Sequence, residues 1–425
     1  MKEDFLHFIW RFQYFDQKEL QTQEGKSLQI IAPGQWHQDA GPDFELAQVR
    51  IEGQMWQGHV EIHVRASDWE RHGHRQNPAY QNVVLHVVWE NDQPARRQDG
   101  TRIPTLELKN RLPSTLWSRY RLLLESLGPV PCHALLGQAP ALARLQMLDK
   151  TLTSRLEAKS AHVRQLWQEN GQDWETTAYQ LLAQNFGFKA NAAPFLRLAQ
   201  ALPLKILQKH RHEPLSLEAL LFGQAGLLPT PPQDDYSESL LREYEFLAHK
   251  YHLKPRQLEI ASWKFLRLRP ANFPTLRLAQ FAQLMAREGG LFAWLTEGAA
   301  QELLSGFQLT TSPYWESHYR FGQSARGKVP QFGKSARHYL LINTVVPLWA
   351  ALALEKQAPE WMEKAAQLLE KLPAERNKIL NMWEGLGLKV QSAYDSQALI
   401  ELYQHYCLSK RCLSCTIGLF LLRDP

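Results

Sequence analysis

One short stretch carries the residue types of a metal site. In GPDFELAQVRIEGQMWQGHVEIHVR, residues 41–65, Asp43 precedes one alternating run, and Glu61 and His63 lie within the next. Side chains two apart on a strand share a face, so Glu61 and His63 project together while Val60, Ile62 and Val64 face a core. Glu52-Gly53 supplies a turn that folds the second run back along the first, bringing Asp43 toward Glu61. Burying such charge is unfavourable unless it is paired or bound to metal. Two carboxylates beside a third polar group form an oxygen-rich set suited to Mg²⁺ or Mn²⁺. An ion there lowers the pKa of bound water and stabilises charge on a phosphoryl oxygen, which is what phosphodiester hydrolysis requires. Asp43 and Glu61 are the expected ligands, and His63 a base or third ligand.

More histidines crowd the region: His59, His72, His74 and His86. With Glu61, the set His63, His74 and His86 offers a second arrangement, suited to zinc; alternatively His86 is a hydrogen-bonded core residue. The run WERHGHR after Asp68 predicts a short helix. On it His72 and His74 cannot share a face, so only one is expected to reach the strands. In QNPAY, residues 76–80, Pro78 argues against a helix, and no role is expected.

These side chains need a frame. Phe5, Phe8, Ile9 and Phe12 recur at helical spacing over Glu3 to Phe15. SLQIIAP, LAQVRIEG, GHVEIHVR and VVLHVVWE read as strands, with TLELK a further short one. The order is helix, strand, strand, strand, helix, strand. After Arg111 the texture turns to long segments rich in Leu, Ala, Gln and Arg, with Gly and Pro between them. The expected architecture is an α/β domain over 1–112 followed by a large all-α domain over 113–425.

Two further groups stand out. Cys407, Cys412 and Cys415 form a C-x4-C-x2-C cluster, and Cys132 is the remaining cysteine of four. Together they make a set for zinc or a 4Fe–4S cluster, with His133 or His405 as substitutes; plain thiols are the alternative. The loop RFGQSARGKVPQFGKSAR carries Arg320, Arg326, Lys328, Lys334 and Arg337 with no acid. Phe321 and Phe332 lie within it, so phosphate neutralisation and base stacking together suggest a nucleic-acid surface. KFLRLRPANFPTLR, residues 264–277, is a second basic patch or simply exposed helix faces.

Composition sets weak bounds. A net charge of +5 permits a nucleic-acid partner without demanding one. The N-terminal residues lack the pattern of a signal peptide. The longest apolar run, Leu340 to Leu354, is too short for a bilayer and holds Asn343 and Pro347. The expectation is a cytoplasmic protein with no membrane partner.

Pro42-Asp43 and Glu61-Ile62-His63, within an αβββαβ order, resemble the PD-(D/E)XK nuclease superfamily. That resemblance implies a restriction-endonuclease-like core and metal-dependent cleavage. The acids would be Asp43 and Glu61, with Glu3 as a first-helix acid, and His63 stands where lysine is usual. Glu107-Leu108-Lys109 keeps the lysine but lies on the wrong strand. A nuclease-like protein without activity, holding nucleic acid or protein, is the alternative. Over nearly its whole length the chain is also similar to a bacterial domain-of-unknown-function family, number 2851. That likeness rests on GPDF, GHVEIHVRASDW, QNFGFKANAAPF, LRPANFPTLRLAQFA, GKSARHYLLINTVVP and KRCLSC. It implies relatedness and no particular activity.

Overall fold

The computed structural model describes residues 2–37 and 40–423. The protein is mixed α/β, with a strand-rich N-terminal region and a helical C-terminal region. It forms two compact units, Met1–Met147 with Leu402–Pro425, and Leu148–Glu401.

The first unit opens with α1 (Glu3–Phe12), then β1 (Leu28–Ala32), β2 (Gln35–Trp36), β3 (Phe44–Ile51) and β4 (Gln54–Arg65). A short helix α2 (Asp68–Arg71) leads on to β5 (Val83–Glu90) and β6 (Thr105–Glu107), and α3 (Ser114–Glu125) follows. The strands lie in the order β1-β3-β4-β5-β6, with β2 paired to β3. β3 is antiparallel to both β1 and β4, whereas β4, β5 and β6 run parallel. Expectation and structure agree on β1, β3, β4, β5 and β6, whereas the two-residue strand β2 was not anticipated. α1 ends at Phe12 rather than Phe15, because Gln13 takes a left-handed conformation, φ 55°, and closes the helix.

One face of the sheet makes the main core. Val60, Ile62, Leu85 and Val87 pack there with Phe5, Leu6 and Ile9 of α1. Phe5 stacks on Tyr120 of α3, centroids 4.2 Å apart with the rings nearly parallel. Cys412 and Leu422 join the same core, so the C-terminal segment belongs with the sheet. A change of texture near residue 112 marks where strands stop; which core a helix covers depends on its apolar face finding a partner.

The second unit has one large helical core. Its apolar helix is longer than the run Leu340–Leu354: it spans Lys334–Glu355, 22 residues, and 72% of its most apolar window is buried within the protein. By length and composition it meets the requirement for crossing a membrane, contrary to expectation. Pro347 does not break it. Proline lacks the N–H that would bond to the carbonyl of residue 343, the turn widens over Leu341–Val345, and Asn185 Nδ2 donates to Asn343 O at 2.9 Å.

Candidate metal centre

The pairing of β3 with β4 sets Phe44 opposite Val60, which puts Asp43 beside Glu61 at the end of β3. The register shifts between Phe44 and Ala47, and Leu46 adopts φ 57°. Such a bulge re-aims side chains on either side of it. The Asp43 N–H donates to Glu61 Oε2 at 3.2 Å, and the Ile62 N–H donates to Asp43 Oδ2 at 2.9 Å. The two acids are thus locked to one another's backbone.

On the parallel side, Glu61 pairs with His86 and His63 with Val88. These side chains leave the sheet on the face opposite the main core, beneath Trp69 and Tyr80. His63 Nδ1 lies 2.8 Å from His86 Nε2, so one ring donates to the other. His63 Nε2 lies 3.2 Å from His72 Nδ1 and 3.5 Å from Glu61 Oε1. His74 Nε2 is 3.1 Å from that same Glu61 oxygen.

Both His72 and His74 therefore reach the strands, against the expectation of one. The helix stops at Arg71, and Gly73 in a left-handed conformation, φ 74°, reverses the chain between the two histidines. They are not two positions on one helix, so the helical-face argument does not apply. Pro78 starts a 3-10 turn, Pro78–Tyr80, instead of preventing one. Tyr80, given no role by the sequence, stacks on His74 at 3.8 Å and donates to Gly41 O at 3.1 Å. The signal that was available is Gly73: a glycine between two histidines marks a turn, not a helix interior.

His63, His72 and His74 form one group whose ligating atoms all lie within 4.8 Å of each other, and Glu3, His7 and Asp43 form another. His7 was not anticipated. It stands one turn after Glu3 on α1, and its Nε2 lies 3.2 Å from Asp43 Oδ2. His86 falls outside the histidine group: it sits behind His63, fully buried, with no partner at Nδ1.

Burial and proximity shape the charges. Burial, then the charge of Asp43, pushes Glu61 up to about 9. Burial, then the neighbouring rings of His86, His74 and His72, pushes His63 down to about 2. Burial takes His86 down to about 3. For His7, burial opposes protonation but the bond to Asp43 outweighs it, so its pKa lies above the usual imidazole value. Burial thus favours the neutral forms of the Glu61 carboxyl and of the His63 and His86 imidazoles.

The donor spacing suits a small transition-metal ion. With metal–donor lengths of about 2.0–2.1 Å, a tetrahedral set has edges of about 3.3 Å. The ligating nitrogens of His63, His72 and His74 lie within 4.8 Å of one another, with His63 Nε2 3.2 Å from His72 Nδ1, and Glu61 Oε1 flanks the group 3.5 Å from His63 Nε2 and 3.1 Å from His74 Nε2.

The other predicted residues lie elsewhere. Lys109 of the competing triplet pairs with Glu90 at 2.9 Å on the surface. In the second unit Arg326, Lys328 and Lys334 are exposed. Arg320 stacks over Phe265 and Phe273, and Arg337 turns in to donate to Leu304 O at 3.3 Å. Phe321 and Phe332, the expected stacking partners within the loop, are core residues. In the second basic patch Arg277 is buried between Phe188 and Phe332. Alternation of basic and aromatic residues marks helix-packing positions here as readily as a nucleic-acid surface.

All four cysteines are thiols within the first unit. The charge of Cys132, Cys407 or Cys412 is disfavoured by burial and by the neighbouring thiols, with Cys407 feeling Cys415, Cys132 and Cys412. Burial and that crowding push Cys132 and Cys412 up to about 12. His133 is engaged otherwise, its Nδ1 lying 3.2 Å from both Val130 O and Ser126 Oγ.

No curated protein and no solved structure matches the chain. A family model described as "Protein of unknown function (DUF2851)" matches residues 3–378, most of the chain's length, and the chain belongs to that family.

Proposed function

We propose that the first unit is a metal-dependent phosphodiester hydrolase of the PD-(D/E)XK nuclease type, whose metal is a transition ion held by Glu61, His63, His72 and His74. The observation that carries this reading is the convergence of the His63, His72 and His74 nitrogens within 4.8 Å of one another, with Glu61 Oε1 3.5 Å from His63 Nε2 and 3.1 Å from His74 Nε2. The order α1, β1, β3, β4, α2, β5 supports the nuclease-type core. Imidazole donors favour Mn²⁺ or Zn²⁺ over Mg²⁺, which prefers oxygen. His63 is then a ligand in the position where the superfamily carries lysine.

The ion would supply a water of lowered pKa and charge neutralisation at the phosphoryl oxygen. The chain's own residues do the rest. His86 accepts from His63 Nδ1 and fixes which nitrogen points at the ion. Asp43 orients Glu61 through its backbone N–H, and the His7–Asp43 pair holds a proton next to the site.

The test is chelation followed by reloading with Mn²⁺, Zn²⁺ or Mg²⁺, then assay on single- and double-stranded DNA and RNA. Glu61→Ala and His74→Ala are the comparison proteins, checked for fold by circular dichroism. Metal binding and cleavage lost together in both variants support the reading. Equal metal binding by variants and parent would overturn it. Binding of metal and nucleic acid without turnover would point to the non-catalytic scaffold.

A further inference from the structure

We propose that Cys132, Cys407, Cys412 and Cys415 ligate a four-iron iron–sulfur cluster that clasps the C-terminal segment to the sheet-bearing unit. This site is separate from the histidine and carboxylate centre and rests on different residues.

The fold brings the fourth cysteine to the other three. Cys132 lies in the connection after α3, and its carbonyl accepts from Leu135 N at 2.9 Å in a tight turn. The other three lie on a compact loop. Lys410 N donates to Cys407 O at 3.1 Å, Arg411 N to Tyr406 O at 2.8 Å and Cys415 N to Cys412 O at 3.2 Å. Cys415 immediately precedes the helix Thr416–Arg423, and a position at the positive end of a helix favours a thiolate. The Lys410 ammonium bonds to the carbonyls of Leu124 and Ser126, joining this loop to the end of α3, and its charge also favours a thiolate at Cys412. Gly418 is part of the cradle: a Cβ there would meet Cys412 O at 2.3 Å.

The spacing of the thiols selects the occupant. Four sulfurs on one zinc ion, at a bond length of about 2.3 Å, stand about 3.8 Å apart. Among the described residues, the groups whose ligating atoms all fall within 4.8 Å of one another are the two in the histidine and carboxylate region. The four thiols interact with one another yet form no such group. They are spread too widely for one ion. An iron–sulfur cube places its four irons, and hence its four thiolates, farther apart.

The experiment is expression with iron supplied, purification of the full chain without oxygen, and measurement of iron, acid-labile sulfide and zinc. The expected result is a brown protein absorbing broadly near about 400 nm, with roughly four irons and four sulfides per chain. Cys407→Ser and Cys132→Ser are expected to lose sulfide and colour. Because these variants can fail to fold, the stoichiometry of the unaltered chain decides. A Glu61→Ala/His74→Ala double variant should keep the sulfide and the colour, since a mononuclear centre contains no sulfide, so the two metal readings fail independently. One zinc per chain without sulfide would overturn the proposal. So would a folded, anaerobically purified protein without metal, its four thiols open to an alkylating reagent.

Discussion

His63 Nδ1 and His86 Nε2 lie 2.8 Å apart inside the protein, on adjacent parallel strands. For His63 to present Nε2 to a metal, its Nδ1 must carry the proton, and His86 is the group that accepts it. Partners of this kind typically contribute 10–100-fold to metal affinity. His86→Leu is expected to weaken Mn²⁺ or Zn²⁺ binding by about that factor, measured by calorimetry, while the circular dichroism spectrum stays that of the parent.

The metal-free first unit should have a stability maximum between acid and alkaline limbs. His63 and His86 are held well below their usual pKa, near 2 and 3, so the unfolded chain binds more protons than the folded one below about 6.5. Their contribution is lost as pH falls from there. Glu61 is raised to about 9, so between 4.5 and 9 the folded chain binds the extra proton and stability declines as pH rises. Two histidines outweigh one carboxyl on the acid side, which puts the maximum near pH 6–7 by this linkage. Thermal melts from pH 5 to 9 check it. Glu61→Gln should flatten the alkaline limb, and added metal should do the same in the parent by displacing the Glu61 proton.

Gly73 is the hinge between two histidines. Its φ of 74° is strained for any residue with a Cβ, by roughly 1–2 kcal/mol. Space is not the obstacle, as a Cβ there meets nothing within 4 Å. Gly73→Ala should therefore fold with a slightly lower melting temperature. Its metal affinity should fall more than its stability, because His72 and His74 are displaced together. A metal titration and a melt on the same sample separate the two effects.

The second unit has its own pH signature. Lys159 donates to Asn343 Oδ1 at 3.0 Å and Gln397 Oε1 at 2.8 Å, with Arg155 bonded to the same Gln397 oxygen. Lys159 is half-buried, and burial followed by the charge of Arg155 takes its pKa down to about 7. The unfolded chain thus binds the extra proton between 7 and 10.5, and this group makes stability rise with pH across that window. Lys159→Met should abolish the rise. Leaving Asn343 Oδ1 without its donor should lower stability by about 1–3 kcal/mol, seen in urea unfolding at pH 9.

The amino-acid sequence by itself determined the strands, their order, and the acids that meet across them. Alternation in LAQVRIEG and GHVEIHVR has one solution when one face must be buried. A turn at Glu52-Gly53 then fixes Asp43 against Glu61. Residue pairs two apart on a strand, such as Glu61 and His63, are legible because their geometry is local.

What only the tertiary structure decided is everything that depends on a chain reversal or on two distant segments meeting. Gly73 brought together two histidines that a helix would have separated. His7 joined Asp43 because α1 packs on the sheet, and Cys132 joined the C-terminal cysteines because α3 and the last helix share a core. Arg277 and Phe332 left the surface for the same reason: a basic or aromatic side chain on a helix gives no sign of what packs against it. Periodicity reports which face of an element is apolar, but the partner of that face is set by the free energy of packing the whole unit.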